Sequence, residues 1–272
     1  MIGKDLSVPS SVAPPASRTS DGPARTAGHL GARSVAAALI ALAFTGALGG
    51  CGDAEHAVRA ETVLVDRFER PDGVVTDERA WRDEPGSGEP DDEIWAATSG
   101  VLQVSDGQAW SDSPVFRMIT HRRDFGDVAV SFRLRVDEWA SDVDHPEEAW
   151  DGVHLLLHYQ DETELYAVSV ARRDGEVAIK RKDPGGPSNG GTYATLEQGP
   201  GAVPAERWTD VRVTVQRDDD GLAIAVELDG EKVLETRDTE AVGDRASHPG
   251  RIGVRADNTT FHIDDVRVER LG

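Results

Sequence analysis

The stretch GVHLLLHYQ, residues 152–160, sets two histidines four positions apart, and the runs that follow, LYAVSVAR (165–172) and EVAIKRK (176–182), carry Tyr166, Lys180 and Lys182. An imidazole or phenol that takes and returns a proton, beside a cation that neutralises a carboxylate, is the equipment of β-elimination from a uronic-acid polysaccharide. His154, His158 and Tyr166 are therefore the candidate catalytic residues. Without turnover the same groups would bind such a glycan. Four residues along an extended strand span about 13 Å, so His154 and His158 cannot share one metal ion and read as two subsites. Strand alternation puts His154, Leu156, His158 and Gln160 on one face, and Val153, Leu155, Leu157 and Tyr159 on the other. The plainer alternative is that both histidines sit half-exposed on a wet sheet face.

Positive charge concentrates just beyond. Arg172, Arg173, Lys180, Arg181 and Lys182 fall within eleven positions of a chain whose net charge is −21. This local reversal suits an anionic glycan, and it equally suits an edge strand protected by lysines. DPGGPSNGGTY (183–193) offers glycines that admit close approach, side-chain hydrogen bonds from Ser188 and Asn189, and Tyr193 as a stacking ring; a long surface turn would read the same way. The ligand-binding candidates are thus His154, His158, Gln160, Lys180 and Lys182, with Ser188, Asn189 and Tyr193 from this loop. Trp81, Trp95 and Trp110 lie in less regular sequence and suit exposed platforms, whereas Trp150 and Trp208 adjoin strands and suit packing at sheet ends. A retaining glucanase would need two carboxylates about 5 Å apart, typically in an E-x-D-x-x-E strand, and the sequence has no such strand. The acidic DEWASDVDHPEEAWDG (137–152) lacks alternation and reads as a solvated loop.

These side chains need strands to carry them. In DVAVSFRLRV (127–136) Val128, Val130, Phe132, Leu134 and Val136 alternate with Ala129, Ser131, Arg133 and Arg135, giving one core face and one wet face. Similar runs begin at Glu61, Gly100, Pro114, Thr209, Leu222, Glu231, Arg251 and Phe261, and RDGE (173–176), DDDG (218–221) and DGEK (229–232) mark hairpins between strands. No long amphipathic helix and no fixed-period repeat is evident. About a dozen strands in roughly 210 residues imply an all-β, two-sheet antiparallel sandwich, because one open sheet would leave an apolar face bare.

Cys51 is the only cysteine of the 272 residues, so no internal disulfide exists and a cysteine-based zinc site is excluded. Arg18, Arg25 and Arg33 precede the uncharged run Ser34–Gly50, which is too short and too rich in Gly and Ala for a membrane span and fits a secretory signal. LGGC (48–51) resembles the lipobox of bacterial lipoproteins, which implies a lipid on Cys51, a signal peptide over 1–50, a tether over 51–60 and a location on the extracytoplasmic face of the cell membrane. The remaining chain, more acidic still, repels nucleic acid and anionic lipid.

In order, DRF, SGVLQV, DFGDVAVSFRLRV, GVHLLLHYQDETELYAVSVARRDGEV, ERWTDVRVTV, VELDGEKVLE and GRIGVRADNTTFHIDDVRV resemble the concanavalin A-like lectin/glucanase jelly rolls, most of all laminin-G-like and 3-keto-disaccharide hydrolase domains. The resemblance covers residues 62–270 and implies a jelly-roll domain over 61–272 with a carbohydrate groove on its curved inner sheet. It also implies a structural calcium ion on Asp66, Asp264 and Asp265, although calcium wants six to eight oxygens; no other cofactor is required. The expected function is a membrane-anchored lipoprotein that binds a polysaccharide or cell-wall glycan, touching the membrane through its lipid only and binding no nucleic acid. A polysaccharide lyase or glycoside hydrolase using the same groove is the alternative, and a non-catalytic structural or adhesion domain the third.

Overall fold

Alternating sequence becomes strand throughout residues 60–82, 92–241 and 248–272, which the computed structural model describes. Cys51, its apolar run and nearly all of the tether lie outside the described residues. The first half runs β1 (Glu61–Asp66), β2 (Gly73–Asp77), a single helical turn α1 (Glu78–Trp81), β3 (Trp95–Ser99), β4 (Val101–Ser105), β5 (Gln108–Ser111), β6 (Val115–Thr120), β7 (Val128–Trp139) and β8 (Gly152–Asp161). The second half runs β9 (Glu164–Arg172), β10 (Glu176–Ser188), β11 (Gly191–Pro200), β12 (Thr209–Asp218), β13 (Gly221–Leu228), β14 (Glu231–Asp238), β15 (Arg251–Asp257) and β16 (Thr259–Arg270).

They form two sheets. One is ordered β14-β13-β12-β7-β16-β5-β4-β2, with β1 also paired to β16, and the other β11-β10-β9-β8-β15-β6-β3. Pairings between these strands are antiparallel, as the sandwich expectation required. The core lies between the sheets. Val130, Phe132, Leu134 and Val136 of β7 meet Leu155 and Leu157 of β8 and Val168 and Val170 of β9, all buried; each such side chain contributes about 1.5–3 kcal/mol.

The structure departs from strict alternation in β8. His158 has φ +48°, and the β8–β9 register shifts between Leu157 and Asp161. A bulge reverses the parity of everything beyond it. His158 therefore packs edge-on against core Tyr166, ring centroids 6.0 Å apart, while Tyr159 joins Leu156, Ile119, Leu165 and Ala167 on the opposite face. The segment 183–193 is likewise not a free loop: β10 continues to Ser188 and β11 resumes at Gly191, making most of it the end of a long hairpin. β2, β3, β5 and β11 are further strands beyond those read from the sequence.

One glycine fixes where β8 begins. Gly152 has φ +139°, and a Cβ there would meet the Ala171 carbonyl oxygen at 1.8 Å. Gly152→Ala is expected to cost more than about 2 kcal/mol, whereas Gly199→Ala, whose Cβ would find only Leu234 at 3.6 Å, should stay within about 1 kcal/mol. Urea denaturation of the two variants checks this.

Candidate functional site

The outward face of the seven-stranded sheet carries the site. Register sets Arg255 of β15, His154 of β8 and Ser169 of β9 side by side. The next row holds Gly253, Leu156, Ala167 and Lys180. Above them opens a cavity of about 380 Å³, walled by Lys182, Ser188, Asn189 and Tyr193 from the β10–β11 hairpin and by Trp150, which precedes β8.

Its floor is a row of polar side chains. His154 Nδ1 lies 2.8 Å from Ser169 Oγ, and its Nε2 is 3.6 Å from Asp257 Oδ2. Asp257 is held by Arg255 through two bonds, Nε to Oδ2 at 2.7 Å and Nη2 to Oδ1 at 2.8 Å. Burial, followed by the charges of Arg255, Lys180 and Arg172, pushes the His154 imidazole well below its ordinary 6.5. Burial and these three cations favour the neutral imidazole, while the Asp257 carboxylate lies on its Nε2 side.

The two lysines differ. Lys182 donates to the Glu162 carbonyl and lies 5.0 Å from the Tyr193 ring centroid. Lys180 is half-buried, and among the described residues it has neither a hydrogen-bond acceptor nor a carboxylate within ion-pair distance. Burial lowers the pKa of both ammonium groups, with Arg172 adding to the effect at Lys180 and Arg255 at Lys182. Burial raises that of the Tyr193 phenol. The cavity thus offers a cation seeking an anion between two aromatic rings, Trp150 and Tyr193.

Of the residues singled out in the sequence, His154, Lys180, Lys182, Ser188, Asn189 and Tyr193 line this cavity together. His158, Gln160 and Tyr166 do not. His158 Nε2 bonds the Gly126 carbonyl at 3.0 Å, and the bulge removes it from the His154 face. Gln160 donates to the Pro249 carbonyl at 3.1 Å and borders a neighbouring cavity. Tyr166 is buried in the core, its hydroxyl donating to Asp238 Oδ2 at 2.8 Å, so it cannot shuttle protons beside His154. Arg255, Asp257, Ser169 and Trp150 were not anticipated. Ser169 shares a face with Ala167 and alternates with core Val168 in plain view, but Arg255 reaches the site only because β15 inserts between β8 and β6, a non-local pairing.

The tryptophan roles also shift. Trp150, expected to pack, is 39% exposed with the Arg255 guanidinium 5.9 Å from its ring centroid. Trp95, expected to be exposed, is buried with Nε1 donating to Asp66 Oδ2 at 2.8 Å. Trp110 stacks on His262 at 6.3 Å.

The aspartates do not fit a calcium ion. Asp66 accepts from Phe68 N, from Trp95 Nε1 and from both terminal nitrogens of Arg70, which occupies its oxygens. Asp264 accepts from the Asp265 amide, and Asp265 faces Arg67 and Arg133 at 3.9 Å. Among the described residues no three His, Cys, Asp or Glu side chains are grouped to hold a metal ion. Among the described residues a two-carboxylate glycosidase mechanism finds no pair in the cavity either, since Asp257 is the single acidic one lining it.

No protein-family model matches the sequence, and no curated protein matches it. Solved structures do share the fold. A chain from the endo-acting O-glycanases with which human gut microbiota initiate mucin breakdown superposes with a TM-score of 0.50 at 10% identity, over 78% of this chain and 100% of that one. A Bacillus subtilis protein with a galectin-like fold gives 0.49 at 12%, over 77% and 96%. The carbohydrate-binding module CBM66 from Bacillus subtilis gives 0.48 at 11%, over 64% and 94%. At 10% identity the likeness to the first of these, at 0.50, is one of fold alone.

The buried neutral His154 has a consequence for pH. Its folded-state pKa lies below the unfolded 6.5, so its stabilising contribution is whole above pH 6.5 and is lost as pH falls from there toward the folded value. Chemical denaturation between pH 7.5 and 5 should show stability declining, and His154→Gln should flatten part of that slope; a variant as steep as the parent would refute the assignment.

Proposed function

We propose that the chain is an extracytoplasmic, lipid-tethered glycan-binding protein whose outward sheet face holds an anionic sugar residue. The observation that carries this reading is Lys180, a half-buried ammonium without a carboxylate partner among the described residues, set in a cavity of sugar size between Trp150 and Tyr193. A uronate carboxylate would neutralise Lys180 by a charge-assisted hydrogen bond. The rings would take the apolar face of the pyranose, while Ser188 and Asn189 at the hairpin end would bond its hydroxyls.

Binding without turnover is the reading the chemistry favours. A lyase needs a base that takes up a proton, and burial with the charges of Arg255, Lys180 and Arg172 weakens His154 in that role, against the Asp257 carboxylate 3.6 Å from its Nε2. A glycosidase needs a second carboxylate. Mucin breakdown by O-glycanases is what is named for the structure this chain superposes on at a TM-score of 0.50; that kinship concerns fold and leaves the argument with the residues. The Arg-led apolar run and LGGC support lipidation of Cys51, and two or three acyl chains anchor a domain durably.

Two measurements test the proposal. On immobilised polygalacturonate the protein should be retained without release of unsaturated or reducing ends, and Lys180→Met should weaken retention about tenfold or more while leaving weak binding to neutral glucan unchanged. Equal retention of variant and parent would overturn the role of Lys180. In cell fractionation Cys51→Ala should move the protein from the membrane to the soluble fraction, and an unchanged distribution would overturn the lipid anchor.

A further inference from the structure

We propose that a second cavity on the same sheet face, about 360 Å³ in volume, is a second subsite for an acidic sugar, in which Arg123 and Arg251 take the carboxylate and Trp81 stacks on the ring. This rests on the glycan reading of the first cavity and extends it from one sugar to a chain.

The two cavities share a floor. Leu156 lines the first and packs against Ile119 and Tyr159, which line the second. Charge sets the second apart from an ordinary crevice. Arg251 is 9% exposed; its Nη1 donates to the carbonyls of Thr120 and His121, the latter at 2.6 Å, and among the described residues no carboxylate lies within ion-pair distance of it. Arg123 is exposed and likewise unpaired among the described residues. Burial first, and then the charge of Arg123, lower the Arg251 pKa, with Tyr159 acting the other way.

The acids of this cavity are already engaged. Asp161 Oδ1 accepts from both the amide and the hydroxyl of Thr163 at 2.7 Å. Glu162 pairs with Arg117, and Arg82 with Glu78 at 3.2 Å. A nearly buried guanidinium without its own anion is costly, and an incoming carboxylate offsets that cost. Trp81 is 44% exposed with its ring centroid 6.0 Å from the Arg251 guanidinium carbon, so one cation and one ring converge on the same small space.

Glu162 also separates the cavities. Its carboxylate reaches Arg117 of β6 while its carbonyl receives Lys182 of β10, forming a polar bar between them. A glycan that fills both must cross this bar, so the ligand is an oligosaccharide with acidic residues on either side of it.

Calorimetric titration of the protein with digalacturonate, hexagalacturonate and neutral cellohexaose tests the proposal. The hexamer should bind at least tenfold tighter than the dimer, and cellohexaose weakly. Lys180→Met should weaken both uronides. Arg123→Ala and Trp81→Ala, both at exposed positions, should remove the advantage of the hexamer while leaving dimer affinity as in the parent. A hexamer no tighter than the dimer, or a length advantage that survives both substitutions, overturns the second subsite alone. No uronide binding by the parent protein overturns the glycan reading and this subsite with it.

Discussion

The structure depends on a strand that is covered on both sides. β8 turns Leu155 and Leu157 into the inter-sheet core and His154 and Leu156 toward the opposite face, and every residue from Gly152 to Tyr159 is buried. Polar groups placed on such a strand must find partners within the protein. His154 does so through Ser169 and the Asp257–Arg255 pair, and the price of that burial is an imidazole held in its neutral form. The same burial explains why the site is a cavity with a rigid floor: its polar atoms are fixed by the strands that also build the core.

A second regularity runs along the strands. Arginine and a carboxylate two residues apart recur on one face: Arg135 with Asp137, Arg172 with Asp174, Arg181 with Asp183, Arg255 with Asp257 and Arg267 with Glu269. Residues two apart on a strand are same-face neighbours, so an acidic chain supplies each of these cations with a local anion. Lys180 departs from this habit: among the described residues no carboxylate lies within ion-pair distance of it, and the charges of Asp174 and Glu176 act on it from farther off, against that of Arg172.

Much of the fold was legible because it rests on local periodicity. The alternation of β7 and the turns at Asp174–Gly175 and Asp229–Gly230 are visible in a few residues each, and the sandwich follows from strand number alone. What was hidden is what depends on parity or on distant pairing. The bulge at His158 leaves no local mark in GVHLLLHYQ, yet it sends His158 and Tyr159 to faces opposite to those that alternation implies. Arg255 and Asp257 stand about a hundred residues from His154 in the chain and meet it only through the order of strands in the sheet. The hairpin residues Lys180, Lys182 and Tyr193 were readable because sequence neighbours remain spatial neighbours across one turn.

The cavity is assembled from parts of unequal commitment. Its floor belongs to β8, β9 and β15, central strands whose other faces form the core, while one wall is the β10–β11 hairpin, whose outer strand is the edge of its sheet. Residues 184–190 at its end are exposed and bear no core load. Insertions, deletions or new side chains there would reshape the mouth of the cavity without touching the packing that folds the chain. The protein thus separates the strands that fold it from a hairpin end whose side chains can change without disturbing that packing.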